Sequence, residues 1–226
     1  MATKKTTRKE LLKKEDEFLT VSARAINYFN AHLNQFKILG VALVVIIVAY
    51  SAVHFYMRSI NKKGQNAYND AYYTLTQKTG PDLDPQTLKK SEELFQKLRD
   101  EYGMSKAARL ALPQIAFMKF VEKKYDEAIA LYREFLDEVS GNTEYESLTR
   151  LALAACYEAK GDLNAAMETL NFLLKQQDNP FRESAMLSLA RLYRLDNKDK
   201  KSKEVLKEFV EKYPTSPFLP MARARL

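Results

Sequence analysis

The stretch Leu153-Ala154-Ala155-Cys156-Tyr157-Glu158-Ala159-Lys160-Gly161-Asp162-Leu163-Asn164-Ala165-Ala166-Met167-Glu168-Thr169-Leu170 decides the fold. Leu153-Ala154 and Tyr157 lie one turn apart on a helix. Gly161-Asp162 is a turn signal. Beyond it, Ala166, Leu170 and Leu173 fall at steps of four and three, so they share the face of a second helix. A small residue on that face lets another helix approach closely. The stretch predicts two helices joined by a tight turn.

The same signature recurs in both directions along the chain. Ser91, Ala128, Ala166 and Ser202 are small residues spaced by 37, 38 and 36. Four residues after each stands a large apolar one: Phe95, Tyr132, Leu170 and Leu206. Three further on come Leu98, Phe135, Leu173 and Phe209. Twelve residues ahead of the last three small positions sit Ile115-Ala116, Leu153-Ala154 and Leu189-Ala190. Tight turns are expected at Lys123-Lys124, Gly161-Asp162 and Asn197-Lys198. Looser ones are expected at Tyr102-Gly103, Ser140-Gly141-Asn142, Asp178-Asn179-Pro180 and Tyr213-Pro214. The earliest unit is degenerate, with a helix over 65–78 parted from Leu88–Tyr102 by the Gly- and Pro-containing residues 79–85. The last residues, 218–226, begin one more helix, read as a cap for the exposed end of a stacked array.

These units resemble tetratricopeptide repeats. The resemblance covers residues 65–226 and is carried most fully by Leu153-Ala154, Tyr157, Gly161-Asp162, Ala166 and Leu170, then by Leu189-Ala190, Tyr193, Leu206, Phe209 and Pro214. In the unit built on Ala128, Lys119 stands where a tyrosine is usual and Lys123 replaces the turn glycine. Pro113 removes a backbone donor and is expected to kink its helix unless it lies in the first turn. The resemblance implies an α-solenoid whose first helices line a concave, partner-binding side. It places Phe117, Phe120 and Val121, then Leu148, Leu151 and Ala155, then Leu187, Arg191 and Arg194 on that side. Arg191 and Arg194 would hold a partner's carboxylate. The Lys/Asn set by which some family members clamp a chain terminus has no counterpart here. Pro113, Phe117, Leu151 and Ala155 occupy the matching places, so an apolar peptide or helix is the expected ligand.

Ahead of the repeats lies an apolar run of twenty residues, Ile38–Met57, with no Asp, Glu, Lys or Arg. As a helix it would reach about 30 Å, the thickness of a bilayer's hydrocarbon core. The net charge of +7 sits beside it: residues 1–37 carry eight basic and four acidic side chains, and Arg58, Lys62 and Lys63 follow. Residues 65–226 carry 25 of each sign. A nucleic-acid binder would put its excess on the domain; basic flanks suit a membrane span. Phe18, Ser22, Ile26, Phe29, Leu33 and Phe36 form one apolar stripe before the run, as in a helix lying in the membrane interface. The expected order is therefore a tail over 1–37, a transmembrane helix over 38–57, a linker over 58–64 and the repeat domain over 65–226. The basic tail favours a cytoplasmic N-terminus and an exported domain. Cleavage of a signal sequence near Ser51 is the alternative; it would release a soluble periplasmic chaperone or adaptor.

The layout of charged tail, single span and degenerate repeats resembles the membrane-anchored tetratricopeptide family that includes the ancillary subunit of the bacterial SecYEG translocon. That resemblance implies an inner-membrane anchor and a periplasmic domain near the translocon or a periplasmic chaperone. Chemistry is not expected. No phosphate-cradling glycine loop and no His/Cys/acid cluster with metal spacing occurs in the sequence. Both histidines, His32 and His54, lie outside the repeats. The expectation is an all-α, non-enzymatic scaffold without cofactor, nucleic acid or small-molecule substrate.

Overall fold

A computed structural model describes residues 20, 23–24, 26–76, 84–176 and 179–226. Phe18, Ser22, the turn over 79–83 and Asp178 lie outside the described residues. Among the described residues every regular element is helical. The chain divides into two compact units, Met1–Arg58 and Ser59–Leu226.

In the first unit a short helical turn ends at His32, and α1 begins at Leu33. The Phe29 and Phe36 rings meet with centroids 4.7 Å apart across that break. From Ile38 to Tyr56 the large apolar side chains are exposed on every side of α1. The helix is long and apolar enough to cross a membrane, and its most apolar window buries nothing against the protein.

Helix α1 (Leu33–Thr76) ends beyond Arg58, so its last turns belong to the second unit. The stretch 58–64, expected to be a linker, is helical. Gly64 explains why packing starts so early. A Cβ there would lie 2.4 Å from the Ser105 hydroxyl oxygen, so only glycine lets α1 approach this turn. Asn61 Oδ1 also accepts the Lys106 backbone N–H at 2.9 Å.

The remaining helices alternate as the repeat predicts: α2 (Pro85–Tyr102), α3 (Lys106–Val121), α4 (Tyr125–Glu138), α5 (Thr143–Lys160), α6 (Leu163–Lys175), α7 (Arg182–Leu195), α8 (Asp199–Lys212) and α9 (Leu219–Arg223). Asp84, Ser105, Asn142 and Asp162 cap α2, α3, α5 and α6, each side chain accepting a first-turn N–H. Pro113 is the eighth residue of α3, not in its first turn, and the helix continues through it to Val121.

All twelve repeat positions are buried. Ser91, Ala128, Ala166 and Ser202 and the eight large residues that follow them are at most 6% exposed. The two serines do more than stay small. Ser91 Oγ donates to the Ala71 carbonyl at 2.8 Å, and Ser202 Oγ to the Ala190 carbonyl at 2.7 Å. A buried hydroxyl is thereby satisfied at the point of closest helix approach. The core runs as three successive clusters, one around Phe95 and Leu98, one around Tyr132, Leu170 and Leu173, and one around Leu206 and Phe209. The last is closed by α9 through Ala222.

The three tight turns share one geometry. Lys123, Gly161 and Asn197 all have positive φ, at 62°, 91° and 56°. The next residue's N–H reaches back to the carbonyl of Lys119, Tyr157 and Tyr193 respectively. This is the Schellman ending, whose left-handed residue glycine fills without strain. Lysine lacks that freedom, and the left-handed conformation costs a residue with a Cβ roughly 1–2 kcal/mol. Lys123→Gly is therefore expected to stabilise the chain by about 1 kcal/mol once glycine's extra unfolded-state entropy is subtracted. Asn197→Gly should gain less, because asparagine tolerates this region. Urea unfolding of the two variants checks the order.

Candidate functional site

Helix α3 buries Ala108, Ala111, Leu112, Ile115 and Met118 against its neighbours. The face left over carries Leu110, Pro113, Gln114 and Phe117. Thirty-eight residues on, one repeat length, α5 presents Leu148, Leu151 and Ala152 from the corresponding face. These seven residues line one open groove of about 440 Å³. Tyr68 of α1 adds to the lining, as do Tyr145 and Thr149 of α5 and Tyr132 and Phe135 of α4. No lining side chain is charged. Volume and lining fit an apolar segment, with the Tyr, Thr and Gln side chains as orienting groups.

The groove brings together some of the expected residues and leaves out others. Phe117, Leu148 and Leu151 line it, with Phe117 39% and Leu148 52% exposed. Phe120 packs on the central core and tilts its ring against Tyr125, centroids 5.8 Å apart. Val121 leans on the first core cluster and Leu187 on the last. Arg191 places its fork on both carboxylate oxygens of Glu158, with Nη2 2.7 Å from Oε2. The carboxylate expected from a partner is thus matched within the fold, between α7 and α5. Arg194 is exposed one turn further on. Tyr68, Tyr145, Leu110 and Gln114 are lining residues that the sequence reasoning missed. Tyr68 belongs to the degenerate unit, and Tyr145 stands in the first turn of α5, where only the repeat offset from Ala107 could have pointed to it.

Lys119 replaces the usual tyrosine with a different bond. Its ammonium lies 2.7 Å from Glu92 on α2, with Glu122 and Glu127 at 3.8 and 3.7 Å, and its side chain is largely buried. In the following unit Tyr157 takes the position and accepts a 2.6 Å hydrogen bond from Arg133. Both solutions tie neighbouring helices by a polar tip on a long stem. The hydrogen bond from Lys124 holds the Glu122 carboxyl below its ordinary range, against the effect of burial.

Burial raises three acids around the groove floor. The Tyr68 phenol is raised by desolvation, partly offset by its hydrogen bond with the Gln114 side chain. Tyr132 is raised further by the same cause. The thiol of Cys156, buried beneath the groove on α5, is pushed up to about 11 by desolvation. This is the reverse of what a reactive thiol needs. No group of three or more His, Cys, Asp or Glu residues is placed to hold a metal ion among the described residues.

The arrangement defines a class: a stack of antiparallel helix pairs presenting an apolar groove from its first helices. The chain belongs to the tetratricopeptide repeat-like domain family, whose profile matches residues 32–176, while a tetratricopeptide repeat profile matches residues 184–216. Such repeats make it a protein–protein interaction scaffold. Among solved structures it is similar to the TPR-like repeats of a Podosopora anserina kinesin light chain, at 15% identity and a TM-score of 0.51, covering 75% of this chain and 83% of that one. The Rap conjugation gene regulator of plasmid pLS20, solved with the Phr* peptide, is 16% identical, with a TM-score of 0.47 and coverage of 68% and 42%. At these identities the likeness is one of fold. No curated protein sequence matches the chain.

The raised thiol contributes a loss of stability at alkaline pH. Between pH 9, its ordinary value, and about 11 the folded chain holds a proton that the unfolded chain has lost. Stability then falls as pH rises, by up to about 1.4 kcal/mol per pH unit for this one group. Cys156→Ala should show a shallower decline across that window than the parent chain, read by urea midpoints at pH 8, 9, 10 and 11.

Proposed function

We propose that this chain is a non-catalytic, single-pass membrane protein. Its repeat domain captures an apolar peptide or helix of a protein partner. The groove carries the reading, because it is open and uncharged, and its aromatic and aliphatic lining leaves Phe117, Tyr145 and Leu148 exposed. The span supplies a second element. Holding the groove at a membrane raises its effective concentration for partners in or beside that membrane.

Retention of the apolar segment is supported by two features. The helix runs through Ser51 without a break, and Val53, Phe55 and Tyr56 beyond it are as exposed as the residues before it. The family profile also begins at residue 32, so it takes in the whole segment together with the repeats. The setting proposed is a bacterial inner membrane, with the tail in the cytoplasm and residues 59–226 in the periplasm. The role proposed there is assistance to secretion or envelope assembly beside the translocon or a periplasmic chaperone. The basic tail and the resemblance of layout support this orientation and setting.

Two measurements test the proposal. Alkaline phosphatase fused after Leu226 should be active in a bacterial host; an inactive fusion together with an active cytoplasmic reporter reverses the topology. Phe117→Ala combined with Leu148→Ala should abolish crosslinking to a partner from a photo-reactive residue placed at position 152. Thermal stability should fall by no more than about 1–2 kcal/mol, because both side chains are already part-exposed. Phe120→Ala serves as the contrast, since it packs on the core and should cost about 2 kcal/mol or more in stability. Partner capture that survives the double variant sinks the groove assignment.

A further inference from the structure

The turn between α2 and α3 shows something the groove does not use. Met104 is 65% exposed at its tip, between Gly103 and the buried Ser105. Exposed cations surround this level of the second unit: Lys62 and Lys63 on α1, and Lys106 and Arg109 on α3. None of the four is held in an ion pair with another described residue. This contrasts with Lys119, Lys160 and Arg191 further into the array, which all have carboxylate partners.

The turn is fixed to one place on α1. Asn61 accepts the Lys106 N–H, and Gly64 leaves no room for a Cβ beside Ser105 and Tyr102. Those anchoring residues stand close in sequence to the end of the apolar run. Asn61 stands four positions beyond Met57, and four residues of chain span at most about 14 Å. A bilayer that holds Ile38–Met57 must therefore have its headgroups within a short reach of Asn61, and of the turn clamped to it.

We propose that the Gly103–Lys106 turn, with Lys62, Lys63 and Arg109, is a second membrane contact: the four cations meet anionic phospholipid headgroups and Met104 enters the interface between them. The proposal rests on the reading that Ile38–Met57 spans. Charge complementarity selects the lipid surface: the four cations are free of ion pairs, whereas the acidic residues just before the turn, Asp100 and Glu101, are engaged by Gln96 and Lys97. A protein groove would ask for a continuous apolar face, which this turn lacks. The contact would form only where anionic lipid is present, and less at high salt.

The sequence has no tryptophan, so one introduced tryptophan reports alone. The full chain is reconstituted in vesicles of phosphatidylcholine with or without phosphatidylglycerol, with spin-labelled acyl chains as quencher. Met104→Trp should be blue-shifted and quenched in the anionic vesicles, and both effects should be lost when Lys62, Lys63, Lys106 and Arg109 are changed to Gln. Phe218→Trp, exposed at the far end of the array, should remain unquenched in both. Val45→Trp reads the span itself. If it is unquenched, the spanning reading fails; if it is quenched while Met104→Trp is not, the turn contact alone fails. Equal quenching of Met104→Trp in neutral and anionic vesicles overturns the headgroup recognition. Because tryptophan itself favours interfaces, amide exchange at residues 103–104 of the unsubstituted chain is compared in neutral and anionic nanodiscs. Slower exchange in the anionic discs is expected, and an unchanged rate overturns the proposal.

Discussion

The repeat array depends on one steric condition: helices must approach closely where Ser91, Ala128, Ala166 and Ser202 stand. Ser91 and Ser202 bond Ala71 and Ala190 on the preceding helix, Ala128 and Ala166 share a core cluster with Ala116 and Ala154, and all eight are buried. A larger residue at any of these crossings would have to push two helices apart, a strain of about 1–3 kcal/mol in a packed interior. The serines satisfy the same condition with a polar group by bonding the facing carbonyl. The large residues four and seven positions on then fill the space on either side of the crossing. Burial, turn geometry and the exposure of the first-helix faces follow from this arrangement.

The polar network follows the same axis without carrying it. Arg99 reaches Glu134, Lys119 reaches Glu92, and Arg191 reaches Glu158, each joining two helices of the stack. Several of these pairs are part-exposed, where an ion pair contributes a few tenths to about 1 kcal/mol. They set the register of neighbouring layers more than they hold them together. The groove lies where this network is absent. Its lining is uncharged: the faces of α3 and α5 that the core leaves over meet there beside Tyr132 and Phe135.

Helix pairing from residue 85 onward was legible because spacing alone decides it: twelve positions chosen by period are all buried. The first unit was not, for a concrete reason. Ala71 and Ser91 are twenty residues apart, where Ala190 and Ser202 are twelve. The longer turn hides the match, and Asp70 stands where the other units have an apolar residue before the alanine. The true start of packing, at Asn61 and Gly64, was hidden too, because glycine in a basic stretch reads as a linker until its neighbour is seen. Within the site, the tetratricopeptide resemblance placed Phe117, Leu148 and Leu151, which line the groove. It also placed Phe120, which packs on the core instead, because a family position puts a residue on a flank of a helix without saying whether the next layer covers it. Arg191 was read as free because its partner, Glu158, lies 33 residues away on another helix.

The short closing helix α9 gives the array a direction. It buries Ala222 on the last core cluster, at one end of the described helices, and Ser216 bonds Glu183 at 2.6 Å beside it. In a stack where each layer touches only its neighbours, opening begins where a layer has one neighbour instead of two. The groove is built from α1, α3, α4 and α5, so α7, α8 and α9 stand between it and that end as sacrificial layers. Local opening at α9 would loosen those helices before it reached the groove.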